Sequence, residues 1–141
     1  MIDIYEVQQS SDITYRVFDW NRPAMAGRAL HLDETRKVAD PAASASVLSL
    51  RRESEGARDE LIASPYFVLE RLAGLGTAVA LDTGETSFHA LTATQGNATV
   101  VVGKDRVELE PYRTVVVPAA VGDYRVESGV RFSLLLSRLP S

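Results

Sequence analysis

Gly96-Asn-Ala-Thr-Val-Val-Val-Gly103-Lys-Asp105-Arg-Val-Glu-Leu-Glu-Pro111-Tyr-Arg-Thr-Val-Val-Val-Pro118 decides the fold. Three short runs rich in β-branched residues, 98–102, 106–110 and 114–117, are cut apart by Gly96-Asn97, Gly103-Lys-Asp105 and Pro111. β-Branched side chains fit a pleated, half-buried surface, while Gly, Asn, Asp and Pro supply the turn conformations between strands. The same rhythm continues outward. Upstream lie the strand-like runs 66–73, 75–81 and 87–94; downstream lie 124–127 and 130–136. Between them fall Gly74, Gly76, Asp82-Thr-Gly84, Pro118, Gly122 and Ser128-Gly129. Many short strands at even spacing predict an all-β sandwich or barrel. Val115–Val117 and Leu134–Leu136 are continuously apolar and are expected to be fully buried strands.

Residues 1–40 have a different texture. Ile2–Gln9 and Thr14–Trp20 read as strands split by the polar turn Ser10-Ser11-Asp12, which makes an N-terminal strand and loop extension. Phe18 and Trp20, two apart, would share one strand face and bury in the core or against a partner domain. Asn21-Arg-Pro23 and Ala26-Gly27 read as loop. Asp33–Ala39 predicts a short helix with Asp33 as N-cap and Pro41 as stop. Residues 41–63 read as a connector, with Arg51, Arg52 and Arg58 solvated, and 64–141 as the β domain.

The composition bounds the function. The chain has 141 residues, enough for one good core. It is 45% hydrophobic and 24% charged, within the globular range. Fifteen Lys and Arg against nineteen Asp and Glu give a net charge of -4, with the signs interspersed, so no bulk attraction for nucleic acid or an anionic membrane is expected. No cysteine is present, which excludes disulfides and thiolate metal sites. No apolar run reaches membrane-spanning length, and Met1-Ile-Asp-Ile-Tyr-Glu6 does not read as a signal peptide, so a cytoplasmic location is expected. Gly74-Leu-Gly76 lacks the third glycine and the helix of a dinucleotide fingerprint, and no Gly-x-Ser-x-Gly elbow occurs.

The order strand, Gly96 turn, strand, Gly103 hairpin, strand, Pro118 resembles a cupin jelly-roll barrel. A narrower resemblance lies at the start. Glu6-Val-Gln-Gln-Ser-Ser-Asp-Ile-Thr14-Tyr-Arg16-Val-Phe-Asp19-Trp20-Asn-Arg22 resembles the segment that follows the zinc cupin in type I mannose-6-phosphate isomerases. Gly27-Arg-Ala-Leu-His31-Leu resembles its continuation, and Ser64-Pro-Tyr-Phe-Val-Leu-Glu-Arg-Leu72 resembles the first strand of the second cupin. The resemblance implies the carboxy-terminal half of such an enzyme, which interconverts mannose 6-phosphate and fructose 6-phosphate through an enediol. Oxygen gains negative charge along that path, and a fixed cation stabilises it. The residue matching the family's active-site arginine is Arg16, which would bind substrate and act in catalysis. From strand alternation alone, Arg16 reads as a solvated edge residue, and it is the resemblance that gives it the site role. Asp12, Asp19 and Arg22 read as scaffold.

The family's zinc ligands, a glutamine, a glutamate and two histidines, precede the matching segment, and neither His31 nor His89 corresponds to one. The expectation is therefore no metal ligand and no cofactor in this chain, with zinc in the complete family enzyme. The isolated chain would then be inactive, with sugar phosphate as its ligand only beside a zinc cupin. A homo-oligomer or partner domain would cover the N-terminal strand. Two other readings stand beside this one. The barrel could be a non-enzymatic module binding a sugar or sugar phosphate. It could also be a metal-dependent cupin, since the usual ligand positions fall on Thr83, Glu85, His89 and Asp123. That set is scrambled, Thr83-Gly84-Glu85 reads as a surface turn, and His89 reads as a hydrogen-bonded barrel residue or one facing water at the mouth.

Overall fold

The computed structural model describes residues 4–8, 10, 13–20, 29–42 and 56–140. The chain divides into two compact units, Met1–Val47 and Leu48–Ser141.

The described residues of the second unit hold nine strands: β1 (Ala57–Ala63), β2 (Val68–Leu75), β3 (Ala78–Asp82), β4 (His89–Gln95), β5 (Ala98–Val102), β6 (Asp105–Leu109), β7 (Thr114–Val117), β8 (Asp123–Glu127) and β9 (Arg131–Arg138). They form a five-stranded sheet in the order β1-β2-β9-β4-β7 and a four-stranded sheet in the order β3-β8-β5-β6. All pairings are antiparallel. Strands that alternate between two sheets in this order make a jelly roll, as the turn spacing predicts.

Alternation decides which side chains meet between the sheets. β3 buries Val79 and Leu81 and exposes Ala78, Ala80 and Asp82. β9 turns Phe132, Leu134 and Leu136 inward, each fully buried, against Leu72, Leu91, Leu109 and Val126. Burying a side chain of this size stabilises by about 1.5–3 kcal/mol. Gly96 closes the β4–β5 turn at φ +67, and a Cβ there would run into the Arg131 carbonyl. Gly74 lies against Phe132, whose Cε1 would stand 2.9 Å from an added Cβ. Close packing, not nucleotide binding, accounts for that glycine.

Two expectations need correction here and a third holds. Residues 57–63 form β1 rather than connector. Among the described residues the Val115–Val117 run is an edge strand: β7 pairs there with β4 alone and leaves Val116 59% exposed. Leu134–Leu136 does lie in a central strand, with Leu135 half-buried.

In the first unit α1 (Leu32–Val38) confirms a helix near the expected place. Its N-cap is His31, and Asp33 sits inside the first turn. There Asp33 accepts a hydrogen bond from Arg36 at 3.0 Å instead of capping. The described parts of Ile2–Gln9 and Thr14–Trp20 carry no strand. Phe18 and Trp20 pack on each other at a centroid distance of 5.6 Å but do not share a strand face, because Trp20 takes φ 49. Both are exposed, Trp20 by 81%. The expectations for Asp12, Arg22, Gly27, Arg51 and Arg52 fall outside the described residues. Among the described residues, no helix is long and apolar enough to cross a membrane.

Candidate functional site

Arg16 is held by its backbone. The His31 amide donates to the Arg16 carbonyl at 2.8 Å, and the Arg16 amide donates to His31 Nδ1 at 3.1 Å. An accepting Nδ1 leaves the imidazole proton on Nε2. The same His31 starts α1: its carbonyl accepts from the Thr35 amide at 2.9 Å and the Thr35 hydroxyl at 2.7 Å. One residue therefore fixes both the helix start and the arginine segment. The Arg16 side chain is half-buried, and no described side chain pairs with its guanidinium.

A second polar group lies within the barrel unit. Strand parity puts Arg58, Glu70 and Arg138 on the inward face of β1, β2 and β9, which are adjacent strands. Arg58 pairs with Leu72, and Glu70 with Leu136, so each shares the side of a core leucine. His89 follows on β4, two residues before the buried Leu91, and Tyr124 comes from β8 in the facing sheet.

The contacts link these five residues into two groups. Arg58 holds the Glu70 carboxylate bidentately, through Nε at 2.9 Å and Nη2 at 2.8 Å. Arg138 Nε adds a longer bond at 3.3 Å. The Glu70 side chain is only 7% exposed, against 44% for Arg58 and 21% for Arg138. Burial alone would raise the Glu70 carboxyl, but hydrogen bonds and charge from Arg58, then Arg138, outweigh it and hold the group below its ordinary value. The hydrogen bond to Glu70 pushes Arg58 up. His89 Nδ1 lies 2.7 Å from the Tyr124 hydroxyl, and the rings meet edge to face. Burial, then Arg138 and Arg58, push His89 down, while burial pushes the Tyr124 phenol up. At neutral pH the pair is therefore an uncharged imidazole beside an uncharged phenol.

The alternative metal set is not assembled. Among the described residues no three His, Asp or Glu side chains converge as metal ligands. Thr83 is buried and staples the loop, donating to the Ala119 carbonyl and accepting from the Gly122 amide. Glu85 is exposed at φ 54 in the turn, and His89 is committed to Tyr124. Asp123 is exposed opposite Asp82 in the β3–β8 ladder. His89 is thus the hydrogen-bonded barrel residue anticipated.

Sequence reasoning missed Glu70, Arg58 and Arg138. A signal was present: Glu70 interrupts the apolar run Phe67–Leu72 at the parity of Val68 and Leu72, and Arg138 continues the parity of Phe132, Leu134 and Leu136. A charge in phase with the core is the mark of an inward-facing ion pair.

No protein-family model matches the sequence. The chain is 28% identical over 129 residues to a mannose-6-phosphate isomerase of Streptococcus mutans, a match covering 89% of this chain and 40% of that protein. The chain thus spans about two fifths of that relative's length. Among solved structures, a protein of Thermus thermophilus matches with a TM-score of 0.57 and 25% identity, over 64% of this chain and 90% of that one. A cupin superfamily protein of Desulfitobacterium hafniense matches with a TM-score of 0.54 and 20% identity, over 64% and 83% of the two chains. An RmlC-like cupin of Desulfovibrio desulfuricans matches with a TM-score of 0.58 and 14% identity, over 70% and 96%. The barrel has the cupin fold, and the chain has a distant similarity to a mannose-6-phosphate isomerase.

Proposed function

We propose that the chain is the second-cupin portion of a sugar-phosphate isomerase and supplies a fixed cation, Arg16, to a zinc site carried by another part of the protein. One observation carries the reading: the similarity to the Streptococcus mutans isomerase covers 89% of the chain, more than the unit Leu48–Ser141 contains. It therefore extends well into the unit that holds Arg16, where a likeness between barrels alone would stop.

The chemistry suits a guanidinium. When an aldose becomes a ketose through an enediol, the two oxygens alternate in carrying negative charge. A planar cation with forked donors stabilises both without moving a proton itself. Arg16 is fixed at its amide and its carbonyl by one residue, His31, so its backbone is set before substrate arrives. That preorganisation lowers the ordering cost at the reacting step. In this reading mannose 6-phosphate is the substrate and the isolated chain does not turn it over.

A chimera tests the proposal. The matching portion of the Streptococcus mutans isomerase is replaced by this chain, and turnover of mannose 6-phosphate is measured with zinc supplied. Turnover in the chimera, absent from either part alone, is the expected result. A folded, zinc-loaded chimera without turnover overturns the proposal.

A further inference from the structure

The geometry points to a binding site for a small oxyanion, a phosphoryl or carboxylate group, at the inward polar row of the barrel, with Arg138 as its anchor and His89 Nε2 as a second donor. This inference does not rest on the isomerase reading.

The inward row carries a surplus of cationic donors. Glu70 is one carboxylate, and the bidentate Arg58 fork at 2.9 and 2.8 Å already satisfies it. A second arginine is not needed to neutralise the group. Arg138 nevertheless points to the same place from the neighbouring strand, and its own bonds are poor. Nε reaches Glu70 at 3.3 Å and Nη1 reaches the Leu139 carbonyl at 3.4 Å, both beyond the usual range for a charge-assisted bond. A guanidinium carries five N–H donors, so most of Arg138's capacity is uncommitted although its side chain is only 21% exposed.

His89 adds to the surplus. Its Nδ1 is taken by the Tyr124 hydroxyl, and among the described residues Nε2 has no hydrogen-bond partner. No fully enclosed side-chain nitrogen or oxygen among them lacks a partner, so Nε2 reaches solvent-accessible space. The 2.7 Å contact fits either tautomer; an oxyanion at Nε2 selects the one in which the Tyr124 hydroxyl donates to Nδ1 and Nε2 carries the proton. The local charges sum in the same direction, because two arginines face one carboxylate. Asp82 opposes them, but it is exposed, its Oδ1 accepts from the Gly84 amide at 2.7 Å, and it is the weakest influence on His89. A partly sheltered guanidinium with most of its donors unused and a buried imidazole with a free ring nitrogen, under a net positive potential, select an oxyanion.

Isothermal titration of the full chain with inorganic phosphate and, separately, with acetate, at constant ionic strength made up with chloride, tests the site. In parallel, imidazole resonances are followed by NMR; the chain has two histidines, so His31 serves as the internal control. Saturable binding that shifts His89 and not His31 is expected, and Arg138→Gln should weaken it by about tenfold or more. Arg138→Gln leaves the Arg58–Glu70 pair intact, and the His89 readout in the unaltered protein does not depend on the variant folding. Binding of phosphate alone or of acetate alone supports the site and identifies which oxyanion it takes. No saturable binding of either, binding that shifts neither histidine or both alike, or binding indifferent to Arg138→Gln overturns the inference. Because this test uses the chain alone, its outcome is separate from that of the chimera.

Discussion

Replacing Glu70 with Gln strips the charge from the centre of the inward ion-pair group while keeping the side-chain volume. Two arginines then face each other without a counter-ion. Breaking one partner out of a buried ion pair costs about 3–5 kcal/mol. Arg58 is 44% exposed, and water stabilises that half of its side chain, so the cost falls to about 2 kcal/mol. At a urea slope of about 2 kcal/mol/M, the midpoint of unfolding drops by about 1 M. The pH dependence gives a second check. Glu70 is depressed in the folded protein, so its contribution is complete above the unfolded value of about 4.3 and is lost as pH falls below that through the folded value. The gap between wild type and Glu70→Gln should therefore be full at pH 7 and should narrow in the acid range. Far-UV circular dichroism is the right probe, because the single tryptophan, Trp20, lies in the other unit. Glu127→Gln is the control, since Glu127 pairs with Arg106 and Arg125 at the surface and should change nothing measurable. A Glu70→Gln midpoint equal to wild type at pH 7, or a gap that persists undiminished in acid, refutes the reasoning.

Further outcomes follow from the same geometry. Gly96→Ala forces a side chain into the Arg131 carbonyl at φ +67 and should lower stability by more than about 2 kcal/mol, read from denaturant midpoints; a loss under about 1 kcal/mol would show that the turn relaxes freely. Tyr124→Phe leaves His89 Nδ1 without its partner and should destabilise by about 1–2 kcal/mol, with no change in β content by circular dichroism. His89 is depressed in the folded protein, so its neutral burial favours folding above the unfolded value of about 6.5 and the gain is lost as pH falls from there through the folded value. His89→Gln should flatten the stability slope in that window, and an unchanged slope would contradict the assignment.

The strands were legible where turn chemistry punctuated them. From Tyr66 onward Gly, Asp and Pro mark nearly every break, and eight predicted runs match β2 to β9 to within a few residues. β1 was not legible. Ala57-Arg-Asp-Glu-Leu-Ile-Ala63 is rich in charge and has a register shift between Glu60 and Ile62, so its apolar period is broken. What holds it is cross-strand: Arg58 on Glu70, and Asp59 on Arg71 at 3.2 Å. Such pairs depend on register, which sequence spacing does not reveal. The opposite error arose at Thr14–Trp20, where alternation suggested a strand. Alternation describes a face, but a strand also needs a ladder, and the described backbone partner of Arg16 is the single residue His31. His89 and Tyr124 are 35 residues apart on facing sheets, so their pairing emerges only from the closed barrel.

The most direct test of the account is the turnover of mannose 6-phosphate by the chimera carrying Arg16→Ala, compared with the same chimera carrying Arg16. Loss of one oxyanion-stabilising cation lowers kcat by about 100- to 1,000-fold, with zinc content and fold unchanged. A kcat that survives Arg16→Ala would contradict the claim that this chain's part in the chemistry is Arg16.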